Sequence, residues 1–251
     1  MTTINDILKF TETFAPLDTA ADFDNCGLLV GDPEKTINRV LVTLDITKDV
    51  VAEAEDIGAE LIISHHPVIF NPLRTLKADS VPYLLAKSGI SALCLHTNLD
   101  IARDCGVNLC LAQALSLDDI KLYPEDFLCI GKLPQAMYAQ DFAFYVKNAL
   151  KCKTVAYTES NRKITTVAMC SGAGGDFYHT AIAKGADAFL TGEAKHHEYL
   201  EAVNSDISMV TAGHYDTEAV VVKPLAEKLS GRFSNVRFIP SRSHGSPVNY
   251  V

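Results

Sequence analysis

No stretch of the 251 residues stays apolar long enough to span a bilayer. The opening MTTINDILKFTETF has neither the basic start nor the long apolar run of a secretion signal. A cytoplasmic protein is therefore expected. Basic residues are in deficit: 22 Lys and Arg face 31 Asp and Glu, a formal charge of −9. Nucleic acids and anionic membranes are held non-specifically by basic surfaces, so neither is an expected partner, although a local basic pocket for a phosphate stays open. The cysteines have no zinc-ribbon spacing. There are seven, an odd and scattered set, which reads as reduced thiols rather than a disulfide framework. Cys94 and Cys170 lie in apolar strand-like runs and read as core, and Cys105 and Cys110 as plain packing.

Hydrophobic residues make up 48% and charged residues 21%, a globular rather than a disordered balance, and the length allows one or two domains. Strand and helix signals alternate. Arg39–Asp45 reads as a strand, Thr47 caps a helix stopped by Gly58, and Glu60–Ser64 is the next strand. Ser80 and Pro82 open a helix closed by Gly89, and Ile90–Leu95 follows as a strand. The second half repeats the pattern: strand 163–170, helix 176–184, the stop Gly185 and strand 188–191. Gly58 and Gly185 lie 127 residues apart, and at that offset Val40 meets Val167, Ala54 meets Ala181 and Ser64 meets Thr191. A later strand, 207–212, ends in Gly213-His214 as 90–95 ends in His96. A helix is expected at 141–150 and another from His214 to about Leu229. We therefore expect two similar three-layer α/β domains, an internal duplication, with a metal site in the cleft between them. The division falls near 1–125 and 126–251, with the C-terminal segment free to return to the first domain.

Ligands of open α/β sheets gather outside the carboxyl ends of strands. Four polar clusters sit there: Ser64-His65-His66, His96 to Asp100, Thr191-Gly192-Glu193, and His214 to Glu218. Imidazoles and carboxylates bind borderline divalent metals. His65 and His66 would face opposite ways within a regular strand, but at a strand end they can splay toward two ions, and Pro67 helps to end the strand. His214 and Glu218 share a helical face, yet a surface ion pair there would be ordinary. Asp100 suits a ligand. His96 could be a ligand, but an acid–base or orienting role is favoured. Glu193 is a candidate general base. His196 and His197 read more readily as exposed helix residues, and His179 and His244 are assigned nothing. Ser171-Gly-Ala-Gly-Gly-Asp176 could cradle a phosphate, but it lacks the P-loop spacing, and a tight packing turn explains it equally well.

The ordered motifs Asp24-Asn-Cys-Gly-Leu-Leu-Val-Gly31, Ile63-Ser-His-His-Pro67, His96-Thr-Asn-Leu-Asp100, Gly106-Val-Asn108, Ser171-Gly-Ala-Gly174, Thr191-Gly-Glu193 and Ala212-Gly-His-Tyr215 to Glu218 resemble those of the NIF-three-like family. Its bacterial members are often labelled GTP cyclohydrolase 1 type 2 homologues. The resemblance covers most of the chain. It implies two similar α/β domains and two divalent ions per subunit, with His65, His66, Asp100, His214 and Glu218 as ligands. It also implies a toroidal homohexamer. The ions would be zinc, iron, manganese or nickel. The expected activity is metal-dependent hydrolysis of a nucleotide, in the manner of GTP cyclohydrolase, with Glu193 or His96 moving protons. A two-metal phosphoesterase is one alternative. A non-catalytic metal-binding, metal-chaperone or regulatory interaction protein is the other.

Overall fold

A computed structural model describes residues Met1–Val251. The chain divides into two compact units, Met1–Cys105 with Val222–Gly245, and Gly106–Val221 with Ser246–Val251.

The first unit is built on a five-stranded sheet. Its strands run Arg237–Pro240, Arg39–Thr43, Leu61–Ser64, Ser91–Cys94 and Gly27–Val30 across the sheet, all parallel except the last. Strands of a parallel sheet covered on both faces need continuous apolar runs. Val40-Leu-Val42 and Leu61-Ile-Ile63 supply them and are completely buried. Helix Lys48–Ile57 starts where the Thr47 hydroxyl accepts the Val50 amide. It stops where Gly58 turns left-handed at φ 65°. Its stripe Val50, Val51 and Ala54 packs on Leu41, Ile62 and Ala92. Helix Val81–Ser88 adds Leu85 to the same cluster.

The second unit has a six-stranded sheet in the order Asp118–Tyr123, Leu128–Met137, Ile164–Cys170, Ala188–Thr191, Ser208–Thr211 and Ala156–Tyr157. Only the 164–170, 188–191 and 208–211 strands pair in parallel. Successive side chains face opposite ways. Met169, Leu190 and Val210 pack with Leu111, Phe142 and Val146, whereas Ala168, Phe189 and Met209 pack with Tyr178, Ala181 and Ala202. Helices thus cover both faces, which makes three layers.

The repeat read from the sequence is present in the strand register. Val40 pairs with Leu61 and Thr43 with Ser64; their counterparts 127 residues on, Val167 with Ala188 and Cys170 with Thr191, pair identically. A carboxylate clamps the start of each pair. Glu60 accepts the amides of Asn38 and Arg39, and Asp187 those of Thr165 and Thr166, again 127 residues on. In each unit the last parallel strand, Ser91–Cys94 or Ser208–Thr211, is flanked by a short antiparallel one.

Two sequence expectations are revised. The division near residue 125 falls within the second unit, because Leu111, Leu115 and Leu117 join the core of Cys129, Leu133 and Phe142. The C-terminal strand Arg237–Pro240 pairs with Arg39–Thr43 in the first unit, the return that the sequence reading allowed for. The expected helix from His214 to Leu229 is broken into His214–Glu218, a tight turn at Ala219–Val221 and Val222–Arg232. Pro224 lacks the N–H that a continuous helix would donate to residue 220, and three successive valines crowd the turn. No helix is long and apolar enough to cross a membrane.

Candidate metal centre

Leu61–Ser64 ends as its paired strands do, and the chain then turns. The amides of His65 and His66 still bond the carbonyls of Thr43 and Leu44, and the Ser64 hydroxyl donates to the His66 carbonyl at 2.8 Å. Freed from strand alternation, both imidazoles reach one place, with ring centroids 4.9 Å apart. His96, at the end of the neighbouring strand, brings a third ring within 5.1 and 5.4 Å of them. One candidate ligand atom from each of His65, His66 and His96 lies within 4.8 Å of the others.

Each ring is oriented through Nδ1. His65 Nδ1 lies 3.0 Å from the Leu95 carbonyl, His66 Nδ1 2.7 Å from Asp45 Oδ1, and His96 Nδ1 2.8 Å from Asp24 Oδ1. A carbonyl or carboxylate oxygen accepts, so the Nδ1–H groups donate. In a neutral imidazole Nε2 then carries a lone pair. This is the outer-sphere arrangement that fixes the tautomer of metal-binding histidines. His65 Nε2 faces Asp100 Oδ1 at 3.5 Å, with the imidazole 1% exposed. A lone pair and a carboxylate oxygen attract each other only through a shared proton or metal ion. The donor set therefore fits a divalent cation of the zinc, iron, manganese or nickel kind.

Asp24 holds this cluster from a loop 72 residues away in sequence. Burial alone would raise its pKa, but hydrogen bonds from His96, Thr97 and Cys26 outweigh that and hold it well below the usual carboxylate range. Asn98 completes the frame: its Oδ1 accepts the His96 amide at 3.0 Å and its Nδ2 donates to the Ala15 carbonyl at 2.8 Å.

In the second unit, strand Ser208–Thr211 leads through Gly213, at φ 91°, into helix His214–Glu218. His214 Nε2 lies 3.2 Å from Glu218 Oε2 and its Nδ1 3.3 Å from Glu193 Oε1. A neutral imidazole has one N–H for two carboxylates, so one contact calls for a further proton or a cation. Glu218 is buried and Glu193 is exposed. Gly172, at φ 62°, is required here, since a Cβ would sit 2.1 Å from Glu218 Oε1. The glycine-rich turn is thus a packing device: its amides at Ser171, Gly172 and Gly174 are taken by Asn108, Thr217 and Thr191.

The structure thus gathers His65, His66, His96 and Asp100 in one unit and Glu193, His214 and Glu218 in the other. His96 lies among the imidazoles, which makes it a ligand candidate as well as an acid–base one. His196 and His197 are exposed on helix His196–Asn204. Asp24 and Asp45 were not singled out from the sequence. Asp45 follows the end of a parallel strand, a signal that could have found it; Asp24 carries none beyond its motif. Ser241, Arg242 and Ser243 are tied to Glu53, and burial lowers the pKa of His244 while Glu53 and Asp45 pull it up.

Comparison with known proteins agrees with the fold. The chain is 32% identical over 261 residues to a protein of Clostridium perfringens named GTP cyclohydrolase 1 type 2 homolog, covering 99% of each. It is 30% identical to a protein of that name from Clostridium acetobutylicum, over 91% of this chain and 90% of that one. The crystal structure of Staphylococcus aureus protein SA1388 superposes with a TM-score of 0.93 at 28% identity, covering 100% and 99% of the two chains. The profile described as Duf34/NIF3 (NGG1p interacting factor 3) matches residues 2–247. With nearly its whole length accounted for in this way, the chain belongs to the Duf34/NIF3 family.

Proposed function

We propose that the protein is a metal-dependent hydrolase acting on a nucleotide, with two divalent ions held by His65, His66, Asp100, His214 and Glu218. The observation that carries this reading is the orientation of three imidazoles through Nδ1, which sets the tautomer that metal-binding histidines use. When bound, the ions supply Lewis-acid polarisation and bring the pKa of a water toward neutrality. His65 and His66 hold their neutral tautomers, fixed by Leu95 and Asp45. His96, backed by Asp24, either completes the ligand set or moves a proton. Glu193, exposed beside His214, serves as the general base. The name carried by the curated relatives supports GTP as substrate, with water opening the purine imidazole ring and formate released.

The test is turnover of GTP and of a phosphoester panel with defined metals, after metal analysis of protein purified without added metal. His65→Ala and Glu218→Ala should each lower metal content and cut turnover by about 100-fold or more. Product formed at an unchanged rate by either variant overturns the reading. Phosphoester turnover in place of GTP turnover moves it to a two-metal phosphoesterase. The family description, which names an interacting factor, favours a second reading as a metal-binding interaction protein. In that case the same variants lose metal or partner binding and the wild type turns over nothing. We further place the chain in a homohexamer, testable by analytical ultracentrifugation. We place it in the cytoplasm, where its mostly buried thiols stay reduced.

A further inference from the structure

Two phenylalanines stand in solvent beside the imidazole cluster. Phe23, next to Asp24, is 69% exposed, and Phe70, four residues after His66, is 45% exposed. Other phenylalanines of this unit are packed away: Phe10 meets Phe14 and Phe233 edge-on, and Phe14 and Phe233 are buried. The exposure of Phe23 and Phe70 is not the looseness of a free end. The Asn25 side-chain amide donates to the Ile69 carbonyl at 2.5 Å, which ties the loop of Phe23 to that of Phe70. The rings lie 6.3 Å apart, tilted by 40° rather than stacked on each other. Phe70 lies 6.5 Å from His96 at 77°. His96 in turn lies 5.1 and 5.4 Å from His65 and His66.

Five rings therefore form one strip running from solvent to the candidate metal ligands. A metal site needs no phenylalanine, and the gain from removing apolar area from water would favour hiding both. Exposed apolar surface next to a polar site marks a binding surface. Phe70 also lies in a long segment, 67–80, without helix or strand. Irregular loops of that length in compact domains commonly serve binding. Among small ligands, one with a planar π face gains from such a strip along its length, while the imidazoles stay within reach of its reacting atom.

We propose that Phe23 and Phe70 form a stacking platform for the heteroaromatic base of the substrate and position it against the His65, His66 and His96 cluster. The platform rests on the nucleotide-hydrolase reading and adds the part of the substrate that is recognised. It makes selectivity a matter of the ring, not of the phosphates. Stacking is tolerant of base identity, since every base has a π face. The platform therefore selects nucleotides from ring-less phosphates without by itself selecting guanine from adenine.

The experiment is calorimetric titration of metal-loaded protein with GTP and with ribose 5-phosphate, which lacks the ring. Wild type is compared with Phe23→Leu/Phe70→Leu and with Phe70→Trp, with metal content measured for each. Leucine keeps the apolar area and removes the π face, so the two contributions separate. We expect the double leucine variant to bind GTP at least ten-fold more weakly, about 1.4 kcal/mol, the order of one base–aromatic stack. Its metal content and its binding of ribose 5-phosphate stay as in wild type, and Phe70→Trp binds GTP as well as wild type or better. Equal GTP affinity in wild type and the leucine variant overturns the platform and leaves the hydrolase reading standing. No GTP binding by any of them, with metal retained, overturns the nucleotide reading and the platform with it. A change of oligomeric state in the leucine variant with GTP affinity unchanged assigns the rings to contact between copies, and also overturns the platform.

Discussion

Each imidazole of the first cluster has one nitrogen committed to an oxygen of known acceptor character, and that commitment carries the chemistry. Leu95 offers only a carbonyl, so the tautomer of His65 follows from hydrogen-bonding rules alone. Asp24 is the more telling partner, because it spends burial to hold a charge. Its carboxylate is fully buried, and hydrogen bonds from Asn25, Cys26, His96 and Thr97 keep it ionised against desolvation. Asp24→Ala should therefore loosen His96 and lower metal affinity by about 10- to 100-fold, the usual cost of losing an outer-sphere partner. Competition with a chelator of known affinity measures this. Affinity equal to wild type would confine Asp24 to tying down its own loop.

At the scale of elements, the duplication is carried by clamps and register rather than by identical residues. Glu60 and Asp187 differ in type and length, yet each closes the amino end of a parallel strand pair by accepting two successive amides. For Asp187, burial pushes the pKa up, but hydrogen bonds from Thr165 and Thr166 win and lower it. A carboxylate with a depressed folded-state pKa stabilises fully above its unfolded value, about 3.9. That contribution fades as pH falls through the folded value. Asp187→Ala should thus have a lower melting temperature than wild type near pH 7, and the gap should close as pH drops below about 4. Melting curves from pH 3 to pH 7 decide it, and a gap that widens in acid contradicts the clamp. The break at Ala219–Val221 shows the reverse relation: its cause, Pro224, lies in plain view in the sequence, but the apolar pattern on either side of it reads as one helix.

For the whole molecule, the net charge of −9 is compatible with a cationic cofactor. A ligand that binds only the folded protein stabilises it by mass action. Free metal at about 100 times its dissociation constant adds about 2.7 kcal/mol. Stripping the protein with a chelator should therefore lower its melting temperature by several degrees, reversibly on returning zinc, manganese or iron. The size of the recovery ranks the metals. A melting temperature indifferent to every metal would remove the cation from the account of His65, His66 and Asp100.

What local chemistry dictates is legible along the chain. Apolar runs bounded by Thr47, Gly58, Gly89 and Gly185 mark the strands and helices, because caps and stops act within a few residues. The 127-residue offset marks the repeat. The rule that ligands gather at strand carboxyl ends marks His65, His66, His96 and His214. The folded arrangement alone selected which oxygens fix those rings, since Asp24 meets His96 across 72 residues of chain. It also decided which unit claims residues 107–123 and 237–240, because those segments follow the core that buries them, not their order in the chain. Hydrogen bonds within a turn are written locally; partners that meet through a folded sheet are chosen by the fold.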